Sequence, residues 1–348
     1  MSQLSATKKR RTFTQWFRDG KTQKRLVMVT FMAVPLLLLF LFTYLPFAEM
    51  VRFSFFDRNY LNAGRYVGLQ NYIDVFQRKD IFGSLFVSVY YMGGSIVQLT
   101  LSLFFASLMV FKVKGEGFYK ASMFFPYLIS GIAIGFIFKF FYARGYVLDT
   151  ILKILGMPES KIPYWLRDPK INNIALVATS VWRYTGQQMV LFVGAMMSVS
   201  SDLYEAADLD GANKWQQFRY IILPSIKSII TLNLILSISG SLSAFEPPYV
   251  ITNGTMGTGT YFVIMNRLAH ENQKVGLACA MAVVLLGIII IFTVVQKVVM
   301  KYLLTDKYDL ELEKHEKARK KKIRQIERDN RRARRTGSAG GNEGRTMV

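Results

Sequence analysis

The chain has 348 residues, of which 51% are hydrophobic and 14% aromatic, and it carries a formal net charge of +21 at pH 7. Its apolar residues come in blocks and not in the amphipathic periods of soluble helices and strands. This composition excludes a soluble globular protein. The single cysteine, Cys279, leaves no intrachain disulfide and no cysteine-based metal site. We expect neither a metal nor a cofactor.

Six apolar segments are long enough to span the membrane, and we predict one helix for each. About 20 residues cross roughly 30 Å of hydrocarbon at a rise of about 1.5 Å per residue. Prolines near the ends of the fifth segment, Pro224, Pro247 and Pro248, stand where a helix begins or stops without losing an interior hydrogen bond. The predicted fold class is an all-α integral membrane protein with six transmembrane helices. The predicted spans are 26–48, 84–111, 118–142, 171–199, 222–251 and 275–299.

Lysine and arginine cluster before the first span and after the last one. Basic flanks stay on the cytoplasmic side, so both termini are predicted to be cytoplasmic. The chain then divides into a basic N-terminal tail, a six-span membrane domain and a basic, partly disordered C-terminal tail, at residues 1–25, 26–304 and 305–348. The loops predicted to be cytoplasmic are 112–117 and 200–221, and those predicted to be external are 49–83, 143–170 and 252–274.

Most of the positive charge lies in the two tails, where anionic lipids attract each basic residue by roughly 1 kcal/mol. Membrane lipids therefore account for the charge, and we expect no nucleic acid partner. A basic segment before an apolar run is also typical of a secretory signal. The run is long, however, and no small-x-small cleavage site follows Pro46, so we interpret it as an uncleaved span.

Residues 203–221 form a polar segment between the fourth and fifth spans. Asp202 is predicted to cap a helix from Leu203 to Leu209, with Glu205 as the acidic half of a capping box. Gly211 then ends that helix at a positive φ, Ala212 begins a second one, and Leu223–Pro224 turns the chain back to the membrane. The physical pattern alone leaves two interpretations open, a knob that docks into a partner or an ordinary interfacial loop.

The residues of this segment resemble the complete signature of permease subunits of binding-protein-dependent ABC importers. The matching residues are Glu205, Ala206, Ala207, Asp210, Gly211, Ala212, Phe218, Ile221, Leu223 and Pro224. The resemblance implies that the segment is a coupling helix, which inserts into a cleft of a cytoplasmic ATP-binding subunit and transmits ATP-driven closure to the spans. It also implies a second, homologous permease and an external solute-binding protein as partners.

The likeness runs from about residue 26 to 304 and points to the branch that imports sugars or oligosaccharides. The fourth-span run Val181–Gly186, the fifth-span ending Ala244–Gly254 and the sixth-span opening Val275–Ala280 are similar to that branch. Thr255 and Met256 depart from the family, which often has Gly and Pro there, so the shape of one external turn is open. The C-terminal tail has no counterpart in the family.

Polar residues inside the spans are candidates for the solute path, because a central arginine costs about 2.5 to 3.5 kcal/mol on insertion scales. Arg183 shares a helix face with Thr179 and Gln187 at i−4 and i+4. Pairing within the bundle is the alternative for Arg183. Asn233, Ser237 and Ser241 recur every four residues in the fifth span and form a stripe that can hydrogen-bond either a solute or a neighbouring helix.

Glu246 lies near the external end of the fifth span, where it faces sugar hydroxyls, an arginine or water. In the third span, Gly131 and Gly135 have the small-x-x-x-small spacing that predicts close helix packing.

We expect this subunit to carry out no chemistry itself. Gly20-Lys21-Thr22 superficially resembles the end of a phosphate-binding loop, but Gln15 stands where that loop requires glycine. The alternatives are a permease of the same class for another solute, such as a glycerol phosphate ester or a polysaccharide fragment, and an ion-coupled carrier that acts alone. The carrier predicts acidic relays inside the membrane and inverted repeats, and inspection finds neither.

Overall fold

The computed structural model describes residues 20–62, 64–111, 114–304, 318–319, 321–323 and 325. Within that part of the chain nearly all regular structure is helical, which confirms the all-α class. The sheet found there pairs two short strands antiparallel, β1 (Phe56–Asp57) and β2 (Arg65–Tyr66). The predicted tails lie outside the described residues except for 20–25 and a few positions near 320, so their boundaries stay predictions.

Fifteen α-helices follow one another along the described chain. The first seven are α1 (Gly20–Leu39), α2 (Leu45–Phe53), α3 (Gln70–Gln77), α4 (Lys79–Val110), α5 (Glu116–Leu128), α6 (Gly131–Phe141) and α7 (Val147–Ile154). The next five are α8 (Asn172–Met197), α9 (Ser201–Leu209), α10 (Lys214–Gln217), α11 (Leu223–Ser225) and α12 (Lys227–Leu242). The last three are α13 (Glu246–Thr252), α14 (Tyr261–His270) and α15 (Val275–Leu304).

Four stretches of the described helices are long and apolar enough to cross a membrane. They are Val27–Phe53, Lys79–Val110, Lys227–Thr252 and Val275–Met300. They correspond to the predicted first, second, fifth and sixth spans. The stretch Lys227–Thr252 contains the short break between α12 and α13, which precedes the paired prolines Pro247 and Pro248.

The predicted third span is not one continuous helix. It consists of α5 and α6, which are bent by 96° at the break. Ile129, between them, has the extended backbone angles φ −77° and ψ 138°, and Pro126 stands in the last turn of α5. Because Pro126 has no N–H, the last turn of α5 lacks one i→i−4 hydrogen bond and is weakened. If the bent pair counts as one span, the described helices supply five.

The predicted fourth span corresponds to α8, whose 26 residues give a length of about 39 Å at about 1.5 Å per residue. It is not among the described helices that are apolar enough to qualify as spans. The reason is its polar content, which includes Asn172, Asn173, Arg183 and Gln188. The six-span count is therefore not confirmed.

Two wide π-helical turns occur, and each is followed by a leucine and a proline. The turn Phe40–Tyr44 precedes Leu45–Pro46, and the turn Phe218–Ile222 precedes Leu223–Pro224. In both, the leucine N–H donates to the carbonyl five residues earlier, Phe40 or Phe218. The wider turn carries the helix past a proline, whose ring crowds the preceding turn.

The described chain divides into two compact units, each with its own packing. The first contains residues up to 91, 131–179 and 241–288. In it α6 packs closely on α13: a Cβ at Gly135 would lie 2.6 Å from the Cβ of Val250. This contact confirms the close packing predicted for Gly135.

The first unit also ties its small sheet to the start of α15. The side-chain amide of Asn71 donates to the carbonyls of Ser54 and Phe56, at 2.8 and 3.0 Å. A Cβ at Gly276 would meet the Phe56 carbonyl oxygen, so glycine is required for this approach.

The second unit contains residues 92–130, 180–240 and those after 288. In its core, α4 and α8 pack together with Ile222 and Ile226, which follow the polar segment 203–221. The Ser102 hydroxyl donates to the carbonyl of Thr185 at 2.8 Å. The buried cluster consists of Leu99, Ala106, Met109, Met189, Phe192, Val193, Met196, Ile222 and Ile226.

Candidate functional site

Residues 203–221 are called the coupling loop here after their predicted role, and the first helix of this segment, α9, begins earlier than predicted. Its N-cap is Ser200, whose side chain accepts a hydrogen bond from the backbone N–H of Asp202. The prediction that Asp202 caps a helix starting at Leu203 was therefore wrong. Serine and aspartate are comparable N-caps, and the upstream serine is the one used. Asp202 remains in the first turn, where its negative charge complements the helix dipole.

The helix ends as predicted at Gly211, which has a φ of +73°. The N–H of Ala212 donates to the carbonyl of Ala207 at 2.9 Å, and the N–H of Gly211 donates to that of Asp208 at 3.2 Å. This pair of bonds is a Schellman motif, in which the residue after the helix adopts the left-handed conformation. The turn at the tip of the loop is therefore fully hydrogen-bonded.

The second helix, α10, starts at Lys214 and not at Ala212. Asn213 and Gln216 form a reciprocal capping box, with the two bonds at 2.8 and 2.9 Å. The sequence prediction missed it because an asparagine–glutamine pair is a less familiar form of the motif than serine–glutamate.

Gln217 joins the two helices of the loop. Its Nε2 donates to Oδ1 of Asp208 at 2.5 Å and to the carbonyl of Ala212 at 3.2 Å. Lys214 Nζ donates to Asp208 Oδ1 and to Gln217 Oε1, at 3.1 and 3.2 Å. The bonds from Gln217 and then Lys214 lower the pKa of the Asp208 carboxyl below its ordinary value. Lys214 also lies 5.6 Å from the ring centroid of Phe111, just after α4.

The predicted turn at Leu223–Pro224 is also corrected. The chain continues from α10 through the π-helical turn into α11, and helical geometry is interrupted only at Ile226, with φ −101° and ψ 8°. Ile222 and Ile226 are both buried in the core of the second unit, and Phe218 packs against that core. The loop is thus continuous with the packed interior of its unit.

The signature residues divide between an exposed and a packed set. Glu205, Ala206, Asp210, Gly211 and Pro224 are exposed, whereas Ala207, Ala212, Phe218 and Leu223 are buried or half-buried. Four large apolar side chains of the loop are also exposed, namely Leu203, Leu209, Trp215 and Tyr220. Exposed large apolar side chains on an ordered loop are typical of a protein contact.

The candidate solute-path residues fall in both units. Thr179 is buried in the first unit, where its hydroxyl donates to the carbonyl of Ala175 at 3.2 Å and to Tyr142 Oη at 3.4 Å. Glu246, half-buried, begins α13 in the same unit. The buried Asn233 and the half-buried Ser237 lie on α12 in the second unit.

Arg183 lies on α8 in the second unit together with the half-buried Gln187. Its Nη2 donates to the carbonyl of Ile129 at 3.4 Å, and its Nη1 donates to Tyr184 Oη at 3.2 Å. The guanidinium carbon is 5.0 Å from the Tyr184 ring centroid. Ile129 lies at the break between α5 and α6, so Arg183 donates a hydrogen bond to a carbonyl that has no partner within a helix.

Comparison with known families decides the class of the protein. The family described as "binding-protein-dependent transport system inner membrane component" matches residues 98–303, more than half of the chain. The chain belongs to this family. It is therefore a multi-pass inner membrane component of a transport system, and the match includes the whole coupling loop.

Curated permeases resemble this family member over most of their length. It is 33% identical to an osmoprotective compounds uptake permease of Synechocystis sp., over 73% of this chain and 92% of that one. It is 28% identical to a probable starch degradation products permease of Thermoanaerobacterium thermosulfurigenes, over 76% and 91%. It is 29% identical to a trehalose/maltose permease of Thermococcus litoralis, over 69% and 81%.

Solved structures of transporters share the fold of this family member. A bacterial ABC transporter that imports the acidic polysaccharide alginate aligns with a TM-score of 0.70 at 20% identity, over 82% of this chain and 99% of that chain. The alginate transporter in complex with its pentasaccharide-bound periplasmic protein aligns with a TM-score of 0.68 at 19% identity.

Proposed function

We propose that this chain is one of two distinct, homologous permease subunits in an ATP-driven importer of sugars or oligosaccharides. The observation that carries the proposal is the coupling loop. Its two helices are capped, closed by a Schellman motif at Gly211 and joined by Gln217, while apolar side chains such as Leu209 stay exposed. An ordered knob with an apolar surface is suited to insertion into a groove of a partner.

The partner that fits this knob is a separate cytoplasmic ATP-binding subunit. In this arrangement ATP is hydrolysed on the partner, an external binding protein captures the solute, and this chain carries out no chemistry. The family description, a binding-protein-dependent system, supports the division of labour. The knob continues into buried Ile222 and Ile226, so a push on the loop reaches the helices packed around them.

The membrane orientation follows from the same proposal. The coupling loop has to face the ATP-binding subunits, so both termini are cytoplasmic and the loop around residues 143–170 is external. The membrane domain is 26–304, and the basic tails 1–25 and 305–348 lie at the cytoplasmic surface against anionic lipids.

We propose that the solute path includes polar side chains of the predicted fourth and fifth spans. Arg183 supplies charge and hydrogen-bond donors, and its bond to Ile129 places it at the broken third span. The other members are Thr179, Gln187, Asn233, Ser237 and Glu246. These side chains suit a hydroxyl-rich solute, because each carries hydrogen-bonding groups and polar residues within spans often mark a solute path.

The carbohydrate assignment rests on relatives named for starch degradation products and for trehalose and maltose. A second candidate is a permease of the same class for another solute, which the relative named for osmoprotective compounds favours. A glycerol phosphate ester or a polysaccharide fragment belongs to this second candidate.

The test is transport by the reconstituted complex. The complex purified through an affinity tag on this chain is placed in proteoliposomes and offered labelled maltodextrins, trehalose and glycerol 3-phosphate. We expect ATP-dependent accumulation of at least one sugar and none with a non-hydrolysable ATP analogue. Uptake driven by an ion gradient without ATP would overturn the importer assignment, and ATP-driven uptake restricted to non-carbohydrate solutes would overturn the sugar assignment alone.

A further inference from the structure

The helix α7 (Val147–Ile154) has its polar and apolar sides arranged in reverse of a soluble surface helix. Its acidic residue, Asp149, is only 1% exposed, whereas Ile154 is 79% and the following Leu155 75% exposed. Val147, Ile151 and Ile154 are exposed on one face of the helix, at the spacing i, i+4, i+7. A surface helix in water presents the opposite pattern, with its apolar stripe against the core.

A hydrogen-bonded cluster around Asp149 holds the helix in this orientation. Its carboxylate accepts from the backbone N–H of Gly145 at 2.7 Å and from Trp165 Nε1 at 3.1 Å. Arg144 Nε lies 3.6 Å from the same carboxylate. A buried carboxylate with these partners is expensive to displace, so the helix cannot roll its apolar face inward.

The other end of the helix is fixed as well. Gly156 has a φ of +90°, and the N–H of Met157 donates to the carbonyl of Leu152 at 2.9 Å, which closes the helix in a Schellman motif. Arg144 donates to the carbonyl of Ile162 at 2.6 Å and to that of Glu159 at 3.0 Å. The exposed apolar face therefore belongs to an ordered segment.

The exposed face of α7 adjoins that of α6, a helix that belongs to a candidate membrane span. Ile132, Phe136 and Phe140 form an exposed i, i+4, i+8 stripe on α6, which is half of the bent candidate span. The rings of Phe140 and Tyr146 have centroids 6.1 Å apart, and Tyr146 immediately precedes α7. Tyrosine is enriched at the depth of the lipid headgroups.

We propose that α7 lies in the interfacial region of the bilayer and contacts lipid acyl chains through Val147, Ile151, Ile154 and Leu155. Thr150 and Lys153 occupy the opposite side of the exposed surface and face the headgroups and water. This is the arrangement of an interfacial amphipathic helix, whose apolar side enters the boundary of headgroups and acyl chains. The helix fixes the depth of α6 in the membrane. The proposal requires only a membrane location and does not depend on the solute or on ATP.

The test uses an environment-sensitive nitrobenzoxadiazole label on the full chain in lipid nanodiscs. Cys279→Ser removes the native cysteine, and single cysteines are introduced as Ile154→Cys, Leu155→Cys and the control Lys161→Cys, which lies in the same loop. We expect blue-shifted emission at positions 154 and 155, with at least twofold quenching by lipids that carry a nitroxide near the top of the acyl chain. The Lys161→Cys label should show water-like emission and weak quenching.

Two results would overturn the proposal. Water-like emission at both positions 154 and 155 would show that the face is solvated. Blue-shifted emission without quenching by the nitroxide lipids would show that protein covers the face. Because two positions are labelled separately, disturbance by one label does not decide the outcome.

Discussion

Gln217 Nε2 lies 2.5 Å from Asp208 Oδ1 and joins the two short helices of the coupling loop. Gln217 is only 1% exposed, whereas Leu209, next to its partner Asp208 in the sequence, is strongly exposed. The same amide also holds the carbonyl of Ala212 between the helices. The two helices of the loop are therefore joined by hydrogen bonds from one buried side chain.

We predict that Gln217→Leu uncouples transport without preventing assembly. Leucine has a similar volume, but it lacks the amide N–H groups that Gln217 donates to Asp208 and to the Ala212 carbonyl. The two helices then move separately. The number of solute molecules imported per ATP hydrolysed should fall several-fold in proteoliposomes, with the yield of the complex unchanged.

The matched control is Gln70→Leu. Gln70 also donates to an aspartate, Asp74 Oδ1 at 2.8 Å, but across one turn of an exposed helix outside the coupling loop. This control should keep the normal ratio of solute to ATP. An unchanged ratio in Gln217→Leu would mean that the bond does not contribute to coupling.

The same cluster predicts a pH dependence of the loop. The pKa of Asp208 is lowered by Gln217 and Lys214, so its contribution to stability is present above the unfolded pKa of about 3.9 and is lost as the pH falls through the folded value. Hydrogen exchange of the loop amides, corrected for intrinsic rates, should show constant protection from pH 7 to 5 and a decrease below about pH 4. Asp208→Asn should remove this step; a step of the same size in the variant would exclude Asp208 as its origin.

Gly211 provides a test of the turn itself. Its φ is +73°, and a Cβ built there has no heavy atom within 4 Å, so substitution costs backbone strain and no clash. A left-handed residue with a Cβ costs about 1–2 kcal/mol, with asparagine the best tolerated. Gly211→Val should lose most solute-stimulated ATPase activity while it still inserts, and Gly211→Asn should retain most of it. Equal stimulation in both variants would show that the turn conformation is not required.

Gly186 and Gly194 on α8 form a natural pair for testing helix packing. A Cβ at Gly186 would meet the backbone carbonyl oxygen of Met123, whereas one at Gly194 would have nothing within 4 Å. Gly186→Ala should therefore destabilise the protein by about 1–3 kcal/mol or more, the usual cost of overpacking. Gly194→Ala should be neutral or slightly stabilising, because alanine favours helices by about 1 kcal/mol. Thermal unfolding in detergent distinguishes the two, and equal midpoints would refute the close approach.

In the coupling loop, local sequence patterns predicted some features of the structure and missed others. Gly211 was predicted to have a positive φ, because a glycine after a helical run is the residue that closes it. The predicted starts of both helices were wrong by about two residues, because Ser200 and Asn213 are the N-caps, whereas the prediction had Asp202 as the first cap and Ala212 as the start of the second helix. Gln217 was missed entirely, because its partner lies nine residues away across the turn.

The third span shows a different limit. Hydropathy sums the apolar residues of α5 and α6 and is insensitive to direction, so a 96° bend leaves no trace in it. Pro126 was the available signal, but proline is tolerated in many membrane helices. The carbonyl of Ile129 is served by Arg183 from 54 residues along the chain, a contact that no local pattern predicts.

The orientation of the chain is testable with reporter fusions. Fusions after Thr336 and next to Lys161 should report opposite sides of the membrane, because basic flanking segments favour the cytoplasmic side. A paired reporter that is active only outside the membrane, such as alkaline phosphatase, should be active at Lys161 alone. Activity at both positions, or at neither, would overturn the proposed topology.

Arg183 decides whether the polar face of α8 serves solute or structure. Its Nη2 donates to the carbonyl of Ile129 at 3.4 Å, and its Nη1 donates to Tyr184 Oη at 3.2 Å. Arg183→Gln keeps hydrogen bonding but removes the charge and the planar fork. Uptake should fall at least tenfold or shift between sugars, with basal ATP hydrolysis and the yield of the complex preserved.

The control Arg267→Gln removes a guanidinium that donates to the carbonyl of Asn253, and it should lower stability without changing selectivity. If the Arg183→Gln complex instead assembles in low yield and its selectivity among sugars is unchanged, Arg183 stabilises the helix break and does not belong to the solute path.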